Sequence, residues 1–182
     1  NDKNSYYNIF ANHYTSKGDL SFQKNNLTSV ALNGTVLMPA NHELNGKLGY
    51  KNEDYYLYGF RPANLVFAKE DLLQRFQTID AKVSFRNIVP TEFGLMYNPN
   101  LNVSFFNWNT PGFPQNASEA NTVLNLPLEK TFGRSFGFKL ELSADLTNFR
   151  PVGSSSSAYS NNLYQVKPSL LLMTPNIYLI TG

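Results

Sequence analysis

The amino-acid sequence predicts an all-β protein: an antiparallel up-and-down meander that forms all or part of a transmembrane β-barrel. Three observations carry this prediction. Apolar residues recur with a period of two, short and long connections alternate along the chain, and aromatic residues gather at the predicted strand ends. No run of about 18 apolar residues occurs, so the sequence predicts no transmembrane helix. Residues 1–182 are predicted to form a single domain.

The period of two is clearest between Phe136 and Thr147. Every second residue there is apolar, and the residues between are small, polar or charged. Because successive side chains of a strand point to opposite faces, the segment has one apolar face and one polar face. Seven further segments alternate in the same way, and a short last one covers residues 177–180. The sequence therefore predicts eight strands of about 10–13 residues and one short final strand.

The predicted connections alternate in length. Tight turns are predicted at 39–42, 89–91, 130–134 and 174–176, and longer loops at 16–26, 61–75, 110–120 and 150–161. In a meander every second connection lies at the same end of the sheet, so one end should carry turns and the other long polar loops. Outer-membrane barrels show this asymmetry. A short helix within Lys69–Phe76 is the one helical candidate.

Aromatic residues cluster at predicted strand ends. The clusters are Tyr6-Tyr7, Tyr55-Tyr56 with Tyr58 and Phe60, and Phe105-Phe106 with Trp108. Amphipathic rings prefer the boundary between hydrocarbon and water, so we expect them to form an interfacial girdle. The alternative, that strands favour aromatic residues in any environment, stays open.

A water-soluble β-sandwich that binds glycan or protein through its aromatic residues is the alternative fold, because its strands also alternate. The long predicted strands and the loop asymmetry favour the barrel. The chain starts without a signal-like segment, and it stops at Gly182 after an unpaired ninth strand. We therefore expect it to be a fragment, or the ordered part, of a longer barrel.

Signals for chemistry are few. The formal net charge is +2, no basic cluster occurs, and cysteine is absent; these features predict no nucleic-acid partner, no disulfide and no thiolate metal site. His13 and His42 are expected at opposite ends of the sheet, so no metal site or cofactor is predicted. A lipase-like pairing of His13 with Ser5 or Ser16 is considered, but no spacing singles it out. The sequence predicts a protein that is not an enzyme.

The predicted polar faces carry charges of both signs, and these are the candidate functional residues. The candidates for lining a lumen are Lys47, Lys51, Asp80, Lys82, Arg86, Glu129, Lys139, Glu141 and Asp145. Such residues could line a pore and tune its selectivity. Alternatively they pair across strands and fill a closed interior, with Lys82 and Glu141 as one such pair. Both interpretations stay open because the total strand number decides the width of the interior.

Several stretches together resemble a known family. They are residues 12–19 (NHYTSKGD), 50–60 (YKNEDYYLYGF), 93–98 (FGLMYN), 126–132 (LPLEKTF), 144–149 (ADLTNF) and 163–175 (LYQVKPSLLLMTP). In this order they resemble the plug-less, TonB-dependent-receptor-like outer-membrane proteins of the Bacteroidota, over nearly the whole chain. The resemblance implies a barrel in the bacterial outer membrane with its long loops at the cell surface. It implies contact with outer-membrane lipid, and with other outer-membrane or periplasmic proteins as further partners, but no substrate.

Overall fold

The computed structural model describes residues 4–59, 66–112, 115–133, 135–151, 157–173 and 178–182. In these residues ten strands form one antiparallel sheet in the order β1-β2-β3-β4-β6-β7-β8-β9-β10, with β5 paired to β7. The strands are β1 Ser5–Lys17, β2 Lys24–Met38, β3 His42–Tyr56, β4 Leu73–Asn87, β5 Leu95–Tyr97, β6 Asn100–Thr110, β7 Gln115–Phe132, β8 Phe136–Arg150, β9 Tyr159–Met173 and β10 Tyr178–Thr181. The predicted up-and-down meander is confirmed. The sheet is open, because within the described residues β1 pairs with β2 alone and β10 with β9 alone.

Six of the eight long strands exceed the predicted 10–13 residues, and this changes the loops at one end. β7 has 18 residues and begins at Gln115, so the connection after β6 covers only 111–114 and the predicted loop at 110–120 is wrong. Asn, Ser and Glu are weak strand formers, which made the start of β7 look like a loop. Register explains why they form a strand: Asn116–Ala120 pair with Phe105–Asn109 of β6. We call this end of the sheet, with connections 18–23, 57–72, 111–114 and 151–158, the loop end.

The opposite end, called the turn end, carries connections 39–41, 88–94 and 133–135. The tight turn predicted at 89–91 is therefore wrong, because β4 and β5 are joined by seven residues. Asn87, whose surface is only 3% exposed, explains why this connection is long. Its amide donates to the Val89 and Leu95 carbonyls at 2.9 Å each and accepts from the Tyr97 N–H at 2.8 Å. A side chain thus replaces the backbone pairing between β4 and β5, while β5 and β6 continue along β7 in one register.

The predicted short helix is shorter still. α1 covers Lys69–Leu72, and the rest of the predicted segment belongs to β4. Leu72 is buried, and its carbonyl accepts the Leu57 N–H at 2.8 Å. Among the described residues, no helix has the length and apolar character needed to cross a membrane.

Register separates the side chains into two faces. Residues directly opposite each other in antiparallel strands share a face, and Ile9, Leu32, Leu48, Ala81 and Val103 form one such row across five strands. Positions two residues away extend the same face, which we call the apolar face. The intervening residues form the polar face. The alternation read from sequence is thus confirmed as two unlike faces of one sheet.

The apolar face is uncovered. Ile9 is 72% exposed, Leu48 52% and Phe105 53%, while the buried apolar residues among those described are Leu72, Ala117 and Leu171. The major contacts between strands run between sheet neighbours. A β-sandwich needs a second sheet about 10 Å away, and the described strands form one layer.

The two ends of the sheet are staggered in the same direction. One row of directly opposed residues crosses all eight long strands, from Asn12 on β1 to Tyr159 on β9. Toward the loop end, β1 continues five residues beyond this row, to Lys17, whereas the first residue of β9 lies in the row. A second row joins Asn45 to Asn125; toward the turn end β3 extends three residues beyond it and β7 extends seven. With about 3.4 Å per residue and about 4.8 Å between strands, this stagger corresponds to a strand tilt between roughly 25° and 45°. Closed barrels tilt their strands by about 35–45°.

Candidate functional site on the polar face

All nine predicted lumen-lining residues lie on the polar face. Register shows this directly, because Lys47 is opposite Lys82, Glu129 is opposite Lys139, and one row continues from Lys82 to Asp145. The remaining four, Lys51, Asp80, Arg86 and Glu141, are an even number of residues from these on the same strands. Strand alternation therefore brings residues from β3, β4, β7 and β8 onto one surface. Whether that surface lines a lumen stays a prediction.

Ion pairs on this face are local. Arg86 pairs with Glu43 at 2.9 Å across β4 and β3, Lys47 Nζ lies 3.9 Å from Asp80, and Lys51 lies 3.1 Å from Glu53. Glu141 pairs with Lys139, two residues away on β8. The predicted pair of Lys82 with Glu141 does not form, because β4 and β8 are three strand spacings apart. Most of these ionised groups are about half exposed, so each pair adds little stability and its heads stay hydrated.

A row of uncharged polar side chains crosses the same face. It consists of Thr35, Asn45, Ser84, Asn100, Asn125, Ser143 and Gln165. The Thr35 hydroxyl donates to Asn45 at 2.7 Å, and Asn125 donates to Asn100 at 3.1 Å. Amides and hydroxyls both donate and accept, so this row offers hydrogen bonds to a neutral polar solute without a charge penalty.

Next to this row the polar face forms a groove toward the turn end. Two cavities of about 450 Å³ and 260 Å³ share Pro127 and Glu141 in their walls. Arg86, Glu129 and Lys139 line the larger cavity, so four of the nine predicted residues meet here. Pro127 has no N–H to donate, and its carbonyl accepts the Asn98 N–H at 3.2 Å between β5 and β6. Ammonium, guanidinium, carboxylate and amide groups together line this concave surface, which suits it to holding a small hydrated solute.

The predicted aromatic girdle is partly wrong. Tyr55, Phe106 and Trp108 lie on the polar face rather than the apolar face. They stack around Phe76, with ring centroids 5.5 Å, 6.0 Å and 6.5 Å from its ring. The Trp108 indole N–H donates to Gln74 at 2.9 Å, which fixes the cluster at the loop end. Paired aromatic residues such as Tyr55-Tyr56 necessarily point to opposite faces, and the sequence pattern did not take this into account. Phe60 lies outside the described residues.

The two histidines lie at opposite ends of the sheet, as predicted. His13 bonds the Thr28 hydroxyl at 2.9 Å at the loop end. His42 is the first residue of β3, stacks on Phe85 at 5.0 Å and bonds the Tyr97 hydroxyl at 2.8 Å.

Neither serine considered as a partner lies close to His13. Ser16 points to the other face, and Ser5 is eight residues along the strand, about 27 Å away. The described residues hold no group of three or more His, Cys, Asp or Glu side chains placed to bind a metal ion.

At the loop end the apolar face becomes polar and holds one strong ion pair. Nε and Nη2 of Arg75 donate to the two oxygens of the Asp54 carboxylate at 2.8 Å each. This pair lies two rows beyond the last apolar row and one row beyond His13 and Asn52. These hydrogen bonds hold the pKa of Asp54 below its ordinary value, and the charge of Arg75 adds to the effect against partial burial.

Comparisons with protein-family models, with curated protein sequences and with solved structures find no match to this chain. The geometry of the polar face and the uncovered apolar face are therefore the basis for assigning a function.

Proposed function

We propose that the sheet is the wall of a β-barrel in a bacterial outer membrane, with its apolar face against lipid and its polar face lining the interior. The observation that carries the proposal is the uncovered apolar face of a one-layer meander. In water such a surface would associate or aggregate. In a bilayer it is the surface that lipid requires.

The height of the apolar face supports this placement. On β8 it extends over the ten residue steps from Phe136 to Leu146. Ten steps cover roughly 34 Å along the strand, and a tilt of about 40° reduces this to roughly 26 Å, close to the apolar band of about 25 Å on barrel proteins. Beyond it lies a polar row of His13, Thr28, Asn52, Gln77, Asn107 and Ser118 across six strands.

Within this wall, a passive, porin-like pathway for small polar solutes is the role that the polar face supports best. Many of its charged side chains are paired with neighbours and remain about half exposed, which suits a water-filled interior. The loop end would then face outward, and outer-membrane lipid is the first partner. We include in this proposal that the chain is related to the plug-less, TonB-dependent-receptor-like outer-membrane proteins.

A receptor or structural partner in an outer-membrane complex is the second candidate. The observation in its favour is the pair of long open edges, β1 and residues 159–169 of β9, in the described sheet. Unpaired backbone N–H and C=O groups of an edge strand are ready to pair with a strand of another protein.

Gel mobility and bilayer conductance test the proposal in turn. The folded chain is expected to need detergent and to migrate differently in SDS before and after boiling. Monodisperse behaviour in buffer without detergent would contradict the barrel. In planar bilayers a pore is expected to conduct, and reversal of charge by Lys47→Glu with Lys82→Glu is expected to shift its preference toward cations. A folded, membrane-inserted protein without conductance would favour the structural role.

A further inference from the structure

We propose that the loop end carries a binding site for a phosphate-bearing ligand, formed by Lys17, Lys24 and Lys69 around Tyr56. The inference goes beyond the pathway above and does not depend on the sheet closing into a barrel. It rests on two adjoining cavities, a group of lysines without carboxylate partners among the described residues, and an ordered loop between Lys17 and Lys24.

The two cavities lie where β1, β2 and β3 reach the loop end. The larger, about 480 Å³, has Lys17, Lys24, Tyr55, Tyr56 and Tyr58 in its wall. The smaller, about 170 Å³, shares Lys17, Lys24 and Tyr56 and adds Lys69. Among the described residues lining either cavity there is no carboxylate. The larger volume lies in the range typical of small-molecule sites.

The lysines at the loop end lie close to one another, with no carboxylate of the described residues between them. Lys17 and Lys24 are directly opposite each other on β1 and β2, and like charges in that position repel. No carboxylate among the described residues forms an ion pair with Lys17, Lys24 or Lys69. The other directly opposed lysine pair, Lys47 and Lys82, has Asp80 at 3.9 Å from Lys47. A bound anion would remove the repulsion at the loop end, as a carboxylate does at the centre of the sheet.

The loop that joins the two lysine strands is ordered from within. The Gly18 N–H donates to the Gln23 carbonyl at 2.7 Å, and the Gln23 N–H donates to the Leu20 carbonyl at 3.1 Å. The Gln23 side-chain oxygen accepts the Leu20 N–H at 3.3 Å, and a Cβ at position 18 would collide with that side chain. The loop therefore positions Lys24 before any ligand arrives, which lowers the entropic cost of binding.

The side chains define the class of ligand. Ammonium groups are strong donors to phosphate oxygens. The ammonium group of Lys69 lies 5.7 Å from the centre of the Tyr56 ring, so charge and ring are close together. Tyrosine rings offer flat apolar surface beside the charge, which suits the ring of a sugar. A sugar phosphate and the phosphorylated headgroup of a lipid share this chemistry.

Calorimetry on the full chain in a nonionic detergent tests the proposal, with glucose 6-phosphate, inorganic phosphate and glucose as probes. Glucose 6-phosphate is expected to bind and glucose is not. Lys17→Ala with Lys24→Ala is expected to weaken binding by at least about tenfold, since each charge-assisted hydrogen bond is worth roughly tenfold or more. Lys24→Arg should retain binding. Lys130→Ala is the matched control, because Lys130 lies over the Phe132 ring at the opposite end of the sheet, 5.2 Å from its centre.

A second arm separates the two sources of phosphate. If the ligand is a lipid headgroup, the chain should bind phosphatidylglycerol vesicles better than phosphatidylcholine vesicles. The double variant should lose this preference. Circular dichroism checks that each variant keeps its strands, and Lys24→Gln replaces the double variant if that one does not. If neither a soluble phosphate nor phosphatidylglycerol binds, or if binding is the same without the two lysines, the proposal is wrong.

Discussion

The two faces of the sheet satisfy their side chains in different ways. Many side chains of the polar face pair with one another, as Glu43 does with Arg86, Asn125 with Asn100, and Thr35 with Asn45. The apolar face has large side chains on most of its strands and, among the described residues, no second layer over them. The polar face is therefore suited to contact with water, whereas the uncovered apolar face is the basis for the proposed contact with lipid.

The largest expected effect contrasts two adjacent residues of β7. Leu124 lies on the apolar face and Val123 on the polar face, opposite Asn102 and Asp145. Leu124→Lys should destabilise the chain in a bilayer by about 2–4 kcal/mol, because its charge would enter hydrocarbon. Val123→Lys should change stability by no more than about 0.5 kcal/mol. Urea unfolding in liposomes measures both, and equal losses would mean that the two faces have the same environment.

Asn87 gives the next largest effect. Asn87→Ala leaves the Tyr97 N–H and two carbonyls without their side-chain partner. Unpaired buried groups cost about 1–3 kcal/mol. Asn33→Ala, which removes one exposed hydrogen bond to Asn8, is the control and should cost less than about 1 kcal/mol. If both variants unfold at the same urea concentration, Asn87 does not hold β4 and β5 together.

The smallest expected effect is a pH dependence of stability that comes from Asp54 and Arg75, which lie beyond the apolar band. Because the pKa of Asp54 is lowered in the folded chain, its pair with Arg75 contributes stability above the ordinary carboxyl pKa of about 3.9, and that contribution is lost as pH falls through the folded value. Arg75 is partly exposed, so we expect less than about 1 kcal/mol. The stability difference between the wild type and Asp54→Asn should be largest near neutral pH and shrink in acid. A difference independent of pH would assign it to another cause.

Much of the fold could be predicted from sequence. A period of two is local, so it indicated where the eight long strands lie and placed Lys47, Asp145 and the other seven candidates on one face. The strand predicted from Phe93 to Phe105 is divided in the structure into β5 and β6. Charges at every second position leave little choice of face. The two histidines also separated as expected, because strand position alone decides which end each one occupies.

The features that could not be predicted from sequence depend on contacts between residues that are distant in the chain. Nothing in the sequence distinguishes Asn87 from many other asparagines, yet its amide reaches across to β5. The start of β7 was read as a loop because its pairing with β6 is a tertiary effect. Lys17 and Lys24 were not singled out, since only register shows that they are directly opposite. A lysine at either end of a predicted loop carries no signal of its own.

The most direct test of the central claim uses two neighbouring residues of β6. Because the chain has no cysteine, Leu101→Cys and Asn102→Cys each introduce a single label site, on the apolar and polar face respectively. In liposomes, a fluorophore at position 101 should be quenched by brominated lipid and protected from a water-soluble quencher, and a fluorophore at position 102 should behave in the opposite way. The same water accessibility at both positions, without lipid quenching at position 101, would contradict the assignment of the apolar face to the membrane.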